Sequence, residues 1–222
     1  MRNLDFTIIV KYIPMLLDGV KWTIILTLLA VSFGVLLGLI TALMRMSRFK
    51  VISFIATCYI EVVRGTPIMV QLFLIYFGLP QVLGFNIPEL ISAVIALAFN
   101  SGAYVAEIIR AGIQAVDRGQ TEASYSLGMN NTMTMRYIII PQAIKNILPA
   151  LVNEFITLIK ESSVVSVIGL TELTRKATII SSITYKPFEP LIIIAGIYFI
   201  MTFSLSKFMG RIERRMKKSD YR

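Results

Sequence analysis

The chain is 222 residues long, 56% hydrophobic and 16% charged, with a mean hydropathy of +0.74. That is more apolar surface than one soluble core buries, and a lipid bilayer is the solvent it fits. There is no histidine, and the one cysteine, Cys58, lies in an apolar run; this excludes an internal disulfide framework and removes the commonest zinc ligand and proton shuttle.

The formal net charge is +9, and seven basic residues follow Ser206. A basic tail after an apolar run is the mark of an inner membrane surface, so nucleic-acid binding is not expected. The first 20 residues are interrupted by Asp5, Lys11 and Asp18 and precede no small-residue cleavage site, so a cleaved signal is not expected. Ile8, Ile9, Tyr12, Ile13, Leu16 and Leu17 recur at helical spacing, which predicts a segment along the outer interface, broken at Pro14.

About 20 apolar residues cross the hydrocarbon as a helix. Five runs meet that length, at about 20–44, 51–79, 87–110, 147–170 and 190–210, within one transmembrane domain covering 1–222. An inner-side tail places 14 of the 22 basic residues on the cytoplasmic side and six outside, namely Arg2, Lys11, Lys21, Arg175, Lys176 and Lys186, with Arg64 and Lys160 inside spans. The excess predicts an external N terminus and a cytoplasmic C terminus.

The inner connection at 114–146 is longer than a helix hairpin needs. It reads Gly119-Gln120-Thr121-Glu122-Ala123-Ser124-Tyr125-Ser126-Leu127-Gly128, then nine residues, then Ile138-Ile139-Ile140-Pro141. Thr121 is a candidate cap, Glu122 suits the positive end of a short helix and Gly128 can end it in the left-handed conformation, which predicts a projecting helix-turn-helix.

This stretch resembles the EAA-type loop of permease subunits of binding-protein-dependent ABC importers, with Ser124 for the second alanine and Ile140 for the usual leucine. Glu61-Val62-Val63-Arg64-Gly65-Thr66-Pro67, Gln71 through Pro80, Ala106 through Gly112 and Leu158 through Ser163 are similar to the polar amino-acid branch, although Ser162-Ser163-Val164 departs from its commoner T-S-L. The resemblance implies an all-α, five-span type I importer permease in the bacterial inner membrane. It implies that residues 117–134 dock in an ATPase subunit, with Glu122, Ala123, Ser124, Gly128 and Pro141 in the coupling element. The implied partners are a dimer of ABC ATPase subunits, a second permease copy or homologue, an extracytoplasmic solute-binding protein and a small amino acid. Nothing in the chain reads G-x-x-x-x-G-K-[ST], so ATP and Mg belong to the partner ATPase and the chain holds no cofactor. Two other classes are a gated channel or ATP-independent carrier, and a membrane enzyme, for which no nucleophile and base set is present.

Charges within spans are functional candidates because they are costly there. Glu154 and Glu161 share a face with Thr157, and with Lys160 they leave one negative charge in the fourth span, which a cationic ligand would neutralise. The bland alternatives are a Glu161–Lys160 pair and a protonated or helix-paired Glu154. Asn100, Tyr104 and Glu107 form a polar stripe in the third span, with Ser101-Gly102 able to loosen the helix, or else bond between helices. Glu61 and Arg64, and likewise Glu107 and Arg110, are spaced to neutralise each other. Gly65-Thr66-Pro67 can interrupt the second span, with Thr66 capping the restart and Arg64 nearby for a carboxylate, or can simply kink it. The substrate expected on this basis is arginine, lysine or histidine, with glutamine or another polar amino acid as the alternative.

Overall fold

The computed structural model describes residues 6–218, and every regular element among them is helical. Arg2 and Arg222, both used in the charge count, lie outside the described residues. In chain order the elements are α1 (Thr7–Val10), α2 (Ile13–Arg45), α3 (Lys50–Arg64), α4 (Ile68–Phe73), α5 (Leu79–Leu83) and α6 (Glu89–Gln114). They continue as α7 (Arg118–Ser126), α8 (Asn131–Thr134), α9 (Ile140–Glu161), α10 (Leu173–Thr184) and α11 (Phe188–Lys218).

The break near Pro14 falls earlier than expected. Pro14 sits in the first turn of α2, where a missing N–H costs nothing, so the chain turns at Lys11 and Tyr12. Residues 13–20 therefore belong to the long helix and not to a separate interfacial segment. Leu16 is buried there against Leu173, Ala177, Ile180 and Ile194. The 33 residues of α2 give a length of about 50 Å, well over the hydrocarbon thickness.

Two π-helical turns, Leu74–Gly78 and Met135–Ile139, each lead directly into a helix whose second residue is proline, Pro80 and Pro141. Proline has no N–H to give the carbonyl four residues back, and its ring crowds that carbonyl. A wider turn just before it relieves both faults, so the helix bends without ending. Beyond α9 the chain tightens into a 3-10 turn at Ser162–Ile168, where Ser162, Ser163 and Ser166 each donate a hydroxyl to the carbonyl three residues back at 2.7–2.8 Å.

The bundle is organised around α6. α2 runs parallel to it in close contact: a Cβ on Gly34 would lie 3.1 Å from Ser101 Cβ, and one on Gly38 would lie 2.5 Å from Val105 Cγ1. Gly34-x-x-x-Gly38 is a small-residue stripe that lets two helices approach backbone to backbone. α9 runs antiparallel to α6, with Gly112 against Ile147 and Ala143. Helix α6 stays continuous through Ser101-Gly102, contrary to the expected loosening. Gly102 instead admits Leu37 and the Tyr59 hydroxyl, which donates to Phe99 O at 2.6 Å.

α10 was not foreseen. Buried Glu172 caps it, accepting the N–H groups of Thr174 and Arg175 at 2.8 Å each and the Tyr198 hydroxyl at 2.9 Å. Leu173 N donates to Thr23 Oγ1 at 3.2 Å, and Gly19 lets the α10 backbone come close. These contacts fasten α10 to the first part of α2 and to α11.

Three helices, α2, α6 and α11, are long and apolar enough to cross a membrane. The pair α3 and 68–83, bent by 106°, makes a fourth if counted as one span. α9, interrupted by Lys145, Asn153, Glu154, Lys160 and Glu161, falls below that mark. Its predicted counterpart at 147–170 is displaced, since the helix begins at Ile140 and ends at Glu161.

Candidate functional site

The break in the second span is built from side chains. After Arg64, Gly65 N still donates to Glu61 O at 2.9 Å, but Pro67 has no N–H to offer the Val63 carbonyl. Pro67, not Thr66, occupies the cap position of α4, with no side-chain cap bond. Thr66 Oγ1 turns back and donates to Val62 O at 2.9 Å. Gln71, from the first turns of α4, fills the gap. Its Nε2 lies 2.8 Å from Val63 O, 3.1 Å from Thr66 O and 2.9 Å from Thr66 Oγ1, and its Oε1 accepts from Asn100 Nδ2 at 3.1 Å.

Arg64 and Thr66 are exposed at this break. The Arg64 guanidinium sits over the Tyr104 ring, 5.4 Å from its centroid, and makes no ion pair with Glu61. The two are three residues apart, but Arg64 reaches to the aromatic face on α6, where a cation is attracted by the ring. Glu107 accepts from Arg110 through both carboxylate oxygens, one at 3.0 Å, as an ion pair within α6.

Consecutive residues of α6 face different partners. Asn100 is bound through Gln71 to the broken helix, while Ser101 packs against Gly34 of α2 and lies beside Glu154 of α9. Ser101 Oγ is buried beside the Glu154 carboxylate, close enough to interact but outside formed hydrogen-bond geometry. Glu154 is half-buried, and no ion pair reaches it among the described residues. Its charged neighbour is Glu161, and the Lys160 charge acts on Glu161. Thr157, half-buried, lies on α9 between the two acids. A concavity of about 650 Å³ lies between α2 and α6 and is lined by residues such as Leu29, Phe33, Leu37, Val94 and Phe99. It offers a polar solute nothing to bind.

In the long inner connection, α7 is capped by Asp117, whose Oδ1 accepts from Gly119 N at 2.7 Å. Thr121, the expected cap, is therefore already inside the helix. Gly128 ends it with φ +82, and Asn130 caps α8 by accepting from Met133 N at 2.9 Å. Ser124 Oγ is buried, donates to Thr121 O at 2.7 Å and lies 2.9 Å from Thr134 Oγ1, so the residue that departs from the EAA pattern fastens the two short helices together. Glu122, Ala123, Tyr125 and Leu127 are left exposed, as is Pro141 where α9 begins.

Sequence reasoning missed Gln71, Gly34, Gly38, Thr134 and Glu172. Only the glycine pair has a readable signal, its spacing of four. Gln71 and Thr134 act across a break or a turn, and Glu172 is fixed by Tyr198 of α11, none of which composition or spacing marks.

Helices pressed together at glycines, a broken span and a capped helical hairpin between α6 and α9 define a multi-helix membrane protein. Residues 34–218 match the family described as the binding-protein-dependent transport system inner membrane component. The chain belongs to that family, a multi-pass inner-membrane component and not an enzyme. The arginine transport system permease protein ArtQ of Bacillus subtilis (strain 168) is 46% identical over 98% of this chain and 100% of its own length. The glutamine transport system permease protein GlnP of Escherichia coli (strain K12) is 38% identical over 96% of this chain and 98% of its own. A chain from the crystal structure of an amino acid ABC transporter with histidines is 62% identical, with a TM-score of 0.94, covering 96% of this chain and 99% of that one. An inward-facing MetNI methionine ABC transporter chain, 19% identical with a TM-score of 0.73 over 92% of this chain and 97% of that one, shares the fold.

Proposed function

We propose that the chain is the membrane-spanning subunit of an ABC importer for a cationic amino acid, with arginine, lysine or histidine as the substrate and Glu154 as the main counter-ion. The observation that carries this reading is the Glu154 carboxylate. It lies within α9 beside Ser101, with no cation paired to it among the described residues. An ionised acid is costly within a membrane, and a guanidinium or ammonium group would neutralise it and satisfy its oxygens. Glu161, Thr157, Ser101 and Tyr104 are the neighbouring candidates. Asn100 is a weaker one because its amide is already spent on Gln71. Arg64 and Thr66, exposed at the break, are candidates for the substrate carboxylate.

The subunit makes five crossings. α2 and α6 are parallel, so the bent segment between them returns across the bilayer; α9 is antiparallel to α6, and α11 begins beside the start of α2. The N terminus is then external and the C terminus cytoplasmic. ATP and Mg act on a partner ATPase dimer, which grips the exposed face of α7 and α8. A second permease, identical or homologous, and an extracytoplasmic binding protein complete the importer. The relative named for arginine supports the cationic reading.

The competing reading is glutamine, favoured by relatives of that name at 38–40% identity and compatible with a protonated Glu154. ATP-dependent uptake of arginine, lysine, histidine, glutamine and glutamate into proteoliposomes holding the permease, its ATPase and its binding protein separates the two. We expect uptake of at least one cationic amino acid to exceed that of glutamine several-fold and glutamate to be excluded. Preferred uptake of glutamine or glutamate, or uptake without ATP, contradicts the reading.

A further inference from the structure

We propose that Gln71 is a positioning residue: it holds the helix break at Gly65–Pro67 in one shape and ties that shape to α6 through Asn100, so that the exposed Arg64 and Thr66 are presented to the substrate. The inference rests on the reading of this break as part of the substrate site, and it adds a residue that contacts no substrate.

The need for such a residue follows from the backbone. A helix end leaves its last carbonyls without internal partners, and in a bilayer no water is at hand to satisfy them. Here the chain turns by 106° over a few residues, and Pro67 removes the N–H that would have bonded to Val63 O. Thr66 N reaches that carbonyl only at 3.4 Å. Gln71 supplies the missing donor at 2.8 Å and reaches across the break to Thr66 O and Thr66 Oγ1 at 3.1 and 2.9 Å. Two N–H groups are shared among three acceptors on both sides of the bend, so the residue fixes the angle of the bend and gives the Val63 carbonyl, otherwise held only by long contacts from Thr66, a short one.

The second half of the amide does different work. Gln71 Oε1 accepts from Asn100 Nδ2 at 3.1 Å, and both residues are buried. Asn100 precedes Ser101, which faces Glu154, on a continuous helix. One buried amide pair therefore joins the break, where a substrate carboxylate would be held, to the helix that faces the acid, where its cationic end would be held. The spacing between those two halves depends on this link. No other side chain from α4 contacts α3 and α6 through polar atoms among the described residues.

Gln71→Leu removes donors and acceptor together with little change in size. The test is uptake kinetics of the assembled importer, using whichever amino acid the parent carries, with Gln71→Leu, Asn100→Ala and the double variant compared at equal permease and ATPase content. We expect Gln71→Leu to raise the KM for uptake roughly ten-fold, in line with loss of a buried hydrogen-bond partner, with Vmax changed less than two-fold. The double variant should be no worse than the more severe single one, because both break the same link. A residue that only stabilises the fold would lower the yield of assembled importer and leave the KM of the assembled fraction alone. An unchanged KM overturns the proposal, as does a double variant whose KM multiplies the two single effects. If Gln71→Leu does not assemble, Asn100→Ala with Gln71→Met in place of leucine is judged by the same criteria. A parent that carries glutamine and not a cation sinks the cationic reading but leaves this measurement intact, so the two failures remain distinct.

Discussion

A side chain at Gly38 would place its Cβ 2.5 Å from Val105 Cγ1 and 2.9 Å from Gly102 O. The second contact is backbone, which a neighbouring rotamer change cannot relieve. Gly38→Leu should therefore destabilise the permease by about 1–3 kcal/mol, the usual range for overpacking, read as a lower unfolding midpoint in detergent. Gly196 in α11 has nothing within 4 Å of a built Cβ, so Gly196→Ala should leave the midpoint unchanged or raise it. Equal losses for both would contradict the assignment of Gly34 and Gly38 to a close α2–α6 contact. At this scale the sequence was legible where charge or spacing speaks. The Glu107–Arg110 pair was legible from its spacing of three, and Glu154 and Glu161 stand out in the sequence as acids inside an apolar run. Gln71 was not, since an amide in an apolar run carries no charge to mark it and its partners Val63, Thr66 and Asn100 are backbone groups or residues far along the chain.

The hairpin of α7 and α8 depends on Gly128, whose φ of +82 lies in the region that side chains branched at Cβ avoid. Gly128→Val should abolish substrate-stimulated ATPase activity, or assembly with the ATPase, while the isolated binding protein still binds its amino acid. Gly128→Asn should keep part of the coupled activity because asparagine tolerates this conformation. Full ATP-coupled uptake by Gly128→Val would remove the coupling role. The hairpin was legible because Gly128 and the loop length are local signals. Its cap was misplaced by four residues, from Thr121 to Asp117, since both are good capping residues and only the course of the chain after Gln114 chooses between them. α10 was hidden for a related reason: its cap, Glu172, is an uncommon capping type and is fixed by Tyr198 of α11.

At the scale of the whole molecule, apolar runs and basic residues marked where helices begin and end, but not how they pack. Pro14 lies within the start of α2, and the fourth run is shifted toward Ile140 because a π-helical turn lets Pro141 sit in a helix that composition alone would start later. What the bundle accomplishes is to bring an acid on α9 beside Ser101 on α6, with the broken helix tied to the preceding residue, Asn100, of that same helix. The central claim is that this acid meets the positive charge of the substrate. Its most direct test is ATP-dependent arginine uptake into proteoliposomes by Glu154→Gln against the parent, at matched assembly and with basal ATPase activity measured alongside. We expect the KM for arginine to rise roughly ten-fold or more, the effect of losing a charge-assisted contact. Arginine uptake with unchanged KM in that variant would contradict it and make Glu154 a structural residue.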